Sequence, residues 1–559
     1  MLIELPVSLW LYPILALIVY LPSFRGPFIF DDHDLMNNLK DVNSWKEIRG
    51  SSRPVTVLSY CLNRAWPGTA RGMRVTNALL HAATALVVER IATHLLGDPL
   101  LGLVAGAVFV VHPFGANTVS YVTGRASILS ALFGFLSILA ILSGFWPLSI
   151  PLLALSVLSK EDGVGFLPLA LISAVFTQNW AIFGLFLLGS AFGLGRYRRR
   201  ILALLRGNGD TAMATMGLPL SYKQPIHFWT VLVATLTKIP QWMIGLGQSP
   251  YHGSGVPVPG FRGGFFAVTT LGACAAFAVS FPGLAFAVAL LLLGPWLVYL
   301  LCPVPDQLAE YRNYSMLSGM AILATVSFDQ FPTPFGFAIA VSLFSGTLAL
   351  ACVGAAMNWS DPIAMWSARA RNASGDRSRA YQEMGAWWKF KGELQSAENV
   401  LRQALQLNPD LAPALNNLAW ICLQTKRTDE GIRLMEECGR RVPTYEPTWH
   451  ELPIIYEQAG RFEKAERAFE RLKKFQIQRE NHANHLGLIA YHAKNLPRAA
   501  KWFDRAIAEK PGHFEYIYNR AMTFKAEGNM AAAMECLSVL TPPLPLTDNM
   551  IRPTEMAPC

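Results

Sequence analysis

The feature that most constrains this chain is the confinement of long apolar runs to its first 357 residues. Stretches near residues 5–24, 75–96, 99–121, 126–144, 146–159, 163–178, 180–195, 264–281, 283–302, 314–330 and 335–356 are each long enough, or nearly so, to cross a bilayer as a helix. A backbone in hydrocarbon must satisfy its own hydrogen bonds, so these runs predict an all-α polytopic membrane bundle of about eleven helices over residues 1–357. Composition agrees, since 52% of the 559 residues are hydrophobic and only 15% are charged, against about 25% charged in ordinary soluble domains. The apolar run at 226–246 is interrupted by His227, Lys238 and Gln241 and reads as an interfacial helix. The first run has no basic residue ahead of it and no small-residue cleavage site, which reads as an uncleaved span.

With eleven crossings, the polar connections 25–74, 196–263 and 303–313 share one membrane face with the C-terminal region, and the opposite face carries tight turns. The 146–159 run is short, and one crossing more or fewer would reverse this parity. Applied literally, the positive-inside rule places the basic loops in the cytoplasm, opposite to the extracytoplasmic orientation adopted below.

Beyond residue 357 the pattern changes to charged, helical sequence with a period. Pro409, Pro443 and Pro511 stand 34 and then 68 residues apart, one and two lengths of a tetratricopeptide repeat (TPR). Met384–Gly385, Leu418–Ala419 and Leu486–Gly487 occupy the paired large and small positions where two helices touch. Trp449, Leu452, Tyr456, Gly460, Ala465 and Phe469 supply the repeat between, and Ala397, Ala465, Ala499 and Ala533 recur at one close-packed slot. This divides the chain into a transmembrane domain at 1–357, a linker at 358–377, a solenoid of about five TPRs at 378–545 and a Pro-rich tail at 546–559.

A net charge of +9 suits an anionic partner, but no nucleic-acid motif or continuous basic helix accompanies it, and many arginines lie between apolar spans. The reading is a membrane lipid, not nucleic acid. The eight cysteines form no CxxC pair or disulfide-like framework.

Chemistry is concentrated after the first span, where Phe30-Asp31-Asp32-His33-Asp34 sets three carboxylates in four positions. Crowded like charges raise one another's pKa unless compensated, so one carboxylate can be poised to take a proton from a hydroxyl. The bland alternative is a solvated acidic turn or a helix cap at Asp34. Arg53, His112 with Asn117, Arg125 and Lys160-Glu161-Asp162 come from separate connections on the same expected face, and together they suggest one polar site roofed by loops. Taken singly, each reads equally as snorkelling or capping. Glu89 and Arg90 lie mid-helix and receive no catalytic role. Arg196, Arg198, Arg199 and Arg200 form a cationic group able to grip lipid phosphate through forked hydrogen bonds, or else a topology anchor. In Ala309-Glu310-Tyr311-Arg312-Asn313-Tyr314, Arg312 can hold a donor phosphate with Glu310 fixing it in place, or the pair can be structural.

These residues resemble the GT-C glycosyltransferases fused to TPR repeats, which include the transmembrane-and-TPR O-mannosyltransferases and their bacterial relatives. The resemblance rests on Phe30-Asp31-Asp32, Arg53-Pro54 with Ser59-Tyr60, Asn77-Ala78-Leu79-Leu80-His81, His112-Pro113, Gly124-Arg125-Ala126, Ser159-Lys160-Glu161, the 309–314 segment and the TPR array, in that order. It implies a polyprenyl-phosphate-linked sugar donor and an inverting transfer at the lumenal or periplasmic face. Asp31 or Asp32 is then the base that activates a hydroxyl on an acceptor protein or glycan. His33, Asp34, Arg53, His112, Arg125, Lys160 and Glu161 support the site, and Arg198, Arg199, Glu310 and Arg312 hold the donor phosphate. The acidic cluster admits a divalent metal, and the TPR groove would take the acceptor or a protein partner. Two positions depart from the family: Asn117 stands where an acidic residue is usual, and Ser127 stands where Asp is usual. Three readings follow: a transferase, a non-catalytic membrane-anchored TPR scaffold of the cell envelope, and an oligosaccharide ligase or polymerase. The expected location is a bacterial inner membrane with a periplasmic site, with an endoplasmic reticulum membrane as the other setting.

Overall fold

A computed structural model describes residues 6–29, 44–65, 69–187, 241–245, 313–329, 333–372, 377–443, 445–465, 482–492 and 494–539, with Asp32, Leu35, Met36, Leu39, Val42, Ile239, Phe331, Arg467 and Ala468 besides. Every element among them is helical, and the chain divides into two compact units, the second beginning at Trp388.

In the first unit, Ser8–Arg25, Ala70–Leu96, Arg125–Leu142 and Pro334–Met357 are long and apolar enough to cross a membrane, and Trp146–Ser159 and Met316–Phe328 are shorter apolar helices. The runs expected near 264–281 and 283–302 lie outside the described residues, as does the second half of 180–195. The run expected near 99–121 is broken: Pro99–Val111 and Pro113–Val119 meet at 47°. His112-Pro113 causes the break, because the proline ring cannot continue the preceding helix. His112 Nδ1 then takes the Phe114 N–H, at 3.1 Å, satisfying a donor that the bend leaves over.

The bundle core is a continuous cluster of buried side chains from these helices, among them Tyr12, Tyr20, Ala78, Ala85, Phe109, Phe114, Phe135, Phe166 and Leu317. Small residues set the closest approaches. A Cβ added at Gly106 would lie 2.2 Å from the Tyr12 hydroxyl, and one at Gly134 would lie 2.4 Å from the Phe166 ring. Such contacts are how helices without a hydrophobic drive between them still pack in lipid. Of the proposed interfacial helix, only Ile239 and residues 241–245 are described: Trp242 is fully buried in the core, 5.0 Å from the Phe114 ring, and Gln241 and Ile244 are exposed.

Residues assigned to the linker are largely helical. Pro362–Asn372 forms a helix, and Trp359, Met365, Trp366 and Ala370 pack with Ala380 onto Ile29 and Tyr121. The apolar faces of Trp359 and Trp366 explain why this stretch is not a free connector.

The second unit consists of helix pairs in which Gly392, Lys426, Gly460, Lys494 and Gly528 turn the chain at positive φ, each 34 residues from the last. Ala397, Ala465, Ala499 and Ala533 are fully buried at the shared slot. The fifth member of that series is Gly431, where a Cβ would lie 2.9 Å from the Ala419 carbonyl. Ion pairs about one repeat apart bind successive pairs together: Arg441 to Asp410, Arg461 to Asp429, Lys464 to Glu436, and Glu398 to Arg427.

Candidate active site

Among the described residues, hydrogen bonds tie the segments around Gly26–Asp32, Arg53–Asn63, Ser120–Arg125 and Ser159–Glu161 to one another within the first unit. The chain leaves the first helix through Leu21–Arg25, and Asp32 follows with no exposed surface. Its Oδ1 accepts the Thr123 N–H at 3.1 Å and its Oδ2 the Ile29 N–H at 3.3 Å, so the carboxylate ties the loop after the first helix to the turn before Arg125. Two backbone donors thus fix the position of both carboxyl oxygens. Phe30, Asp31, His33 and Asp34 lie outside the described residues.

Below this loop are two buried arginines. Arg74 donates from Nε to the Ser120 carbonyl at 2.7 Å and from its two terminal nitrogens to the carbonyls of Gly26 and Pro27. Arg125 donates to Asn77 Oδ1 (2.8 Å), Asn63 Oδ1 (2.6 Å) and the carbonyls of Met73 (2.9 Å) and Ser59 (3.2 Å), and its guanidinium sits 4.5 Å from the Tyr60 ring centroid. The planar fork is what lets one side chain reach four acceptors on two helices, Pro54–Ala65 and Ala70–Leu96. Arg125, expected as a site cation, is engaged on every side by the fold itself. Burial pushes the Tyr60 phenol up; Arg125 opposes this, Asp32 adds to it, and the hydroxyl stays protonated, donating to the Val122 carbonyl at 2.8 Å.

Arg53 and Glu161 do meet, with Nη2 to Oε1 at 2.5 Å and Nε to Oε2 at 2.9 Å, at 39% and 60% side-chain exposure. Burial lifts the Glu161 carboxyl, and the Arg53 fork outweighs it, so the group ionises below the usual carboxylate range. Next to it Lys160 is buried, donating to Asp162 and, at 3.1 Å, to Ser127 Oγ. His112 is buried in the span break, with Nε2 3.4 Å from the Met243 carbonyl. The two departures from the family pattern are both bonded inside the fold: Ser127 to Lys160, and Asn117 Oδ1 to the Trp359 indole N–H at 3.0 Å.

Arg198, Arg199, Glu310 and Arg312 lie outside the described residues. The end of that last segment is described: Tyr314 hydroxyl stands 2.5 Å from His81 Nδ1, and His81 Nε2 lies 3.4 Å from the Tyr20 hydroxyl. Arg74, Asn63 and the Tyr20–His81–Tyr314 chain went unassigned in the sequence. Arg74 gave no signal beyond a basic residue near a span start, and His81 and Tyr314 stood in the quoted motifs without roles. Among the described residues no group of three His, Cys, Asp or Glu is arranged to hold a metal. Glu89 lies 4.0 Å from Arg90, within the bundle.

In the second unit a groove of about 660 Å³ opens beside the turns at Gly460 and Lys494, lined by Arg461, Phe462, Lys464 and His492.

The tetratricopeptide-repeat family matches residues 391–452 and 454–514. The chain is 31% identical to the protein O-mannosyl-transferase TMTC4 of Homo sapiens, over 29% of this chain and 28% of that protein. It is 30% identical to the protein O-mannosyl-transferase TMTC2 of Mus musculus, over 29% and 23%. The chain thus aligns with about a quarter of the length of the curated relatives it matches. A tetratricopeptide repeat protein from Parabacteroides merdae is 17% identical, covering 34% of this chain and 75% of that one, with a TM-score of 0.31. The chain resembles a transmembrane-plus-TPR protein of the O-mannosyltransferase kind.

Proposed function

We propose that this chain is a membrane glycosyltransferase that moves a sugar from a polyprenyl phosphate donor to a hydroxyl of a protein or glycan acceptor. Mannose is the first sugar to try, because the relatives are named protein O-mannosyl-transferases. The observation that carries the reading is the buried Asp32 carboxylate, held by two backbone N–H groups at the end of the bundle where Arg53, Glu161 and Lys160 gather. A fixed carboxylate beside its neighbour Asp31 is a sensible place for a general base. In the transfer, one carboxylate takes the acceptor hydroxyl's proton. The acceptor oxygen attacks the anomeric carbon, the bond from that carbon to phosphate oxygen breaks, and the lipid monophosphate leaves with inversion at the sugar.

Because both oxygens of Asp32 accept backbone N–H groups, we assign the loop-holding role to Asp32 and the proton to Asp31. We further propose that Arg198, Arg199 and Arg312, with Glu310 steadying the last, hold the donor phosphate. The exposed Arg53–Glu161 pair guards the approach, and His33 and Asp34 complete the acidic loop and any divalent metal site. His112, Arg125 and Lys160 then act by shaping the pocket wall. The TPR groove takes the acceptor or a partner, on the extracytoplasmic face of a bacterial inner membrane or the lumenal face of an endoplasmic reticulum membrane. The domain limits proposed from the sequence are kept, with 362–372 as a helix of the connector.

A second reading, a TPR scaffold without catalysis, is favoured by one observation: Asp32, Arg125, Asn117 and Ser127 are all bonded within the fold. The test uses the purified full chain, a panel of polyprenyl phosphate sugars, a Ser/Thr peptide and release of lipid phosphate as readout. Asp31→Asn abolishes release while leaving thermal unfolding unchanged. Asp32→Asn lowers both, because an amide nitrogen cannot accept an N–H. A wild-type chain that neither binds nor turns over any donor refutes the transferase reading and leaves the scaffold.

A further inference from the structure

The two N–H donors that Asp32 accepts, from Ile29 and Thr123, belong to segments far apart in the chain. One carboxylate can reach both only if something sets the spacing of those segments. Arg74 does part of this, since it donates to the carbonyls of Gly26 and Pro27 on one segment and of Ser120 on the other. A third element meets the same two segments, and it comes from the stretch that the sequence presents as a linker.

Trp359 is buried, and its indole N–H donates to Asn117 Oδ1 at 3.0 Å. Its ring centroid lies 5.4 Å from that of Tyr121, close in the chain to Thr123. A Cβ added at Gly26 would overlap the Trp359 carbonyl, so the connector backbone runs directly against the loop. Ile29 and Tyr121 share one apolar cluster with Trp359, Met365, Trp366 and Ala370. An indole buried with its N–H paired is fixed at both its apolar and its polar end. A connector that only joined two domains would be polar and loosely packed. The cluster also takes Ala380, Met384 and Trp387 of the helix Ser378–Phe390, and the division between the two units falls inside this helix, after Trp387.

We propose that Trp359 is a positioning residue of the transferase site: with Arg74 it sets the spacing between the loop that carries Asp31 and Asp32 and the turn that carries Thr123, and so holds the acidic loop in register for deprotonating the acceptor hydroxyl. This rests on the transferase reading above, and adds that the acidic loop is completed by residues that follow the Pro334–Met357 span. The alternative is that Trp359 anchors the connector and nothing more. The two roles differ in where the damage falls when the indole is lost. An anchor lowers the stability of the whole unit. A positioning residue frees Ile29 and Thr123 first, and slows the chemical step more than it weakens donor binding.

The experiment measures backbone amide exchange, and transfer from polyprenyl phosphate mannose, for the full chain in detergent as wild type, Trp359→Ala and Trp359→Phe. In Trp359→Ala the Ile29 and Thr123 amides exchange roughly tenfold faster, while Ile91, buried in the Ala70–Leu96 helix, exchanges as in wild type. The value of kcat falls about tenfold to a hundredfold, and KM for the lipid donor changes by about twofold or less. Trp359→Phe keeps an aromatic ring and loses the bond to Asn117, so it recovers most of the exchange protection and most of kcat. Unchanged exchange at Ile29 and Thr123 in Trp359→Ala overturns the proposal. Equal acceleration at Ile91 overturns it too and leaves an anchor, as does a loosened loop with kcat at the wild-type value. If Trp359→Ala fails to fold, Trp359→Phe decides alone: exchange at Ile29 and Thr123 about two- to threefold faster with Ile91 unchanged upholds the proposal, and no change overturns it. A wild-type chain that transfers no sugar overturns the transferase reading and with it the catalytic half of the proposal, while exchange still upholds or overturns the holding of the loop.

Discussion

Replacing Arg125 tests whether a residue expected from the sequence to support the polar site is instead a keystone of the loop end of the bundle. Its guanidinium donates to Asn77 and Asn63 side chains and to the Ser59 and Met73 carbonyls, and stacks on Tyr60. Arg125→Met leaves four buried acceptors short of a donor, each worth about 1–3 kcal/mol if nothing rearranges. The amides can turn and water can enter, so the net loss is set at about 3–5 kcal/mol, the range for breaking a buried charged network. Arg125→Lys keeps the charge but not the fork, and loses about 2–3 kcal/mol. The contact is resolved by a double-mutant cycle with Asn63→Leu, whose coupling to Arg125→Met reaches about 1–3 kcal/mol because the two share a bond of 2.6 Å. The assay is thermal unfolding of the purified chain in detergent. An Arg125→Met chain that melts with wild type while losing its response to polyprenyl phosphate refutes the keystone assignment and returns Arg125 to the binding site.

Further expectations follow from single features. Lys426 and Lys494 sit at positive φ where the other repeats place glycine, so Lys426→Gly and Lys494→Gly each stabilise the second unit by about 0.5–1 kcal/mol, read by hydrogen exchange of the flanking helices in the full chain. The Arg427 guanidinium, burial opposing and Arg402 assisting, pulls the Glu398 carboxyl down to about 2 from an ordinary 4.5. This depressed group contributes stability that is fully present above pH 4.5 and disappears as pH falls toward 2; with both arginines partly exposed it amounts to about 1–2 kcal/mol, and Glu398→Gln abolishes that part of the acid dependence in hydrogen exchange of the Leu394–Leu407 helix. Gly124→Ala brings a Cβ to 2.1 Å from the Thr118 carbonyl, which displaces the turn carrying the Thr123 N–H and accelerates exchange at Thr123, with the Asp32 loop released. Gly487→Ala pushes into the Phe503 ring at 2.5 Å and lowers the melting temperature of the second unit, at a cost of about 1–3 kcal/mol.

The sequence by itself determined the helical class, the two-part division and the register of the repeats. Lipid and solenoid packing both impose short-range rules, and those rules are written into every span and every 34-residue turn: Pro409, Ala397 and Gly460 can be read without knowing what they touch. What only the tertiary structure decided is which of the polar residues face inward to hold the loops. Arg125, Lys160, Asn117 and Ser127 carry the same residue chemistry as a ligand site, and their partners come from segments tens to hundreds of residues away. Hydrogen-bond satisfaction is a property of three-dimensional neighbourhoods, and no local pattern encodes it.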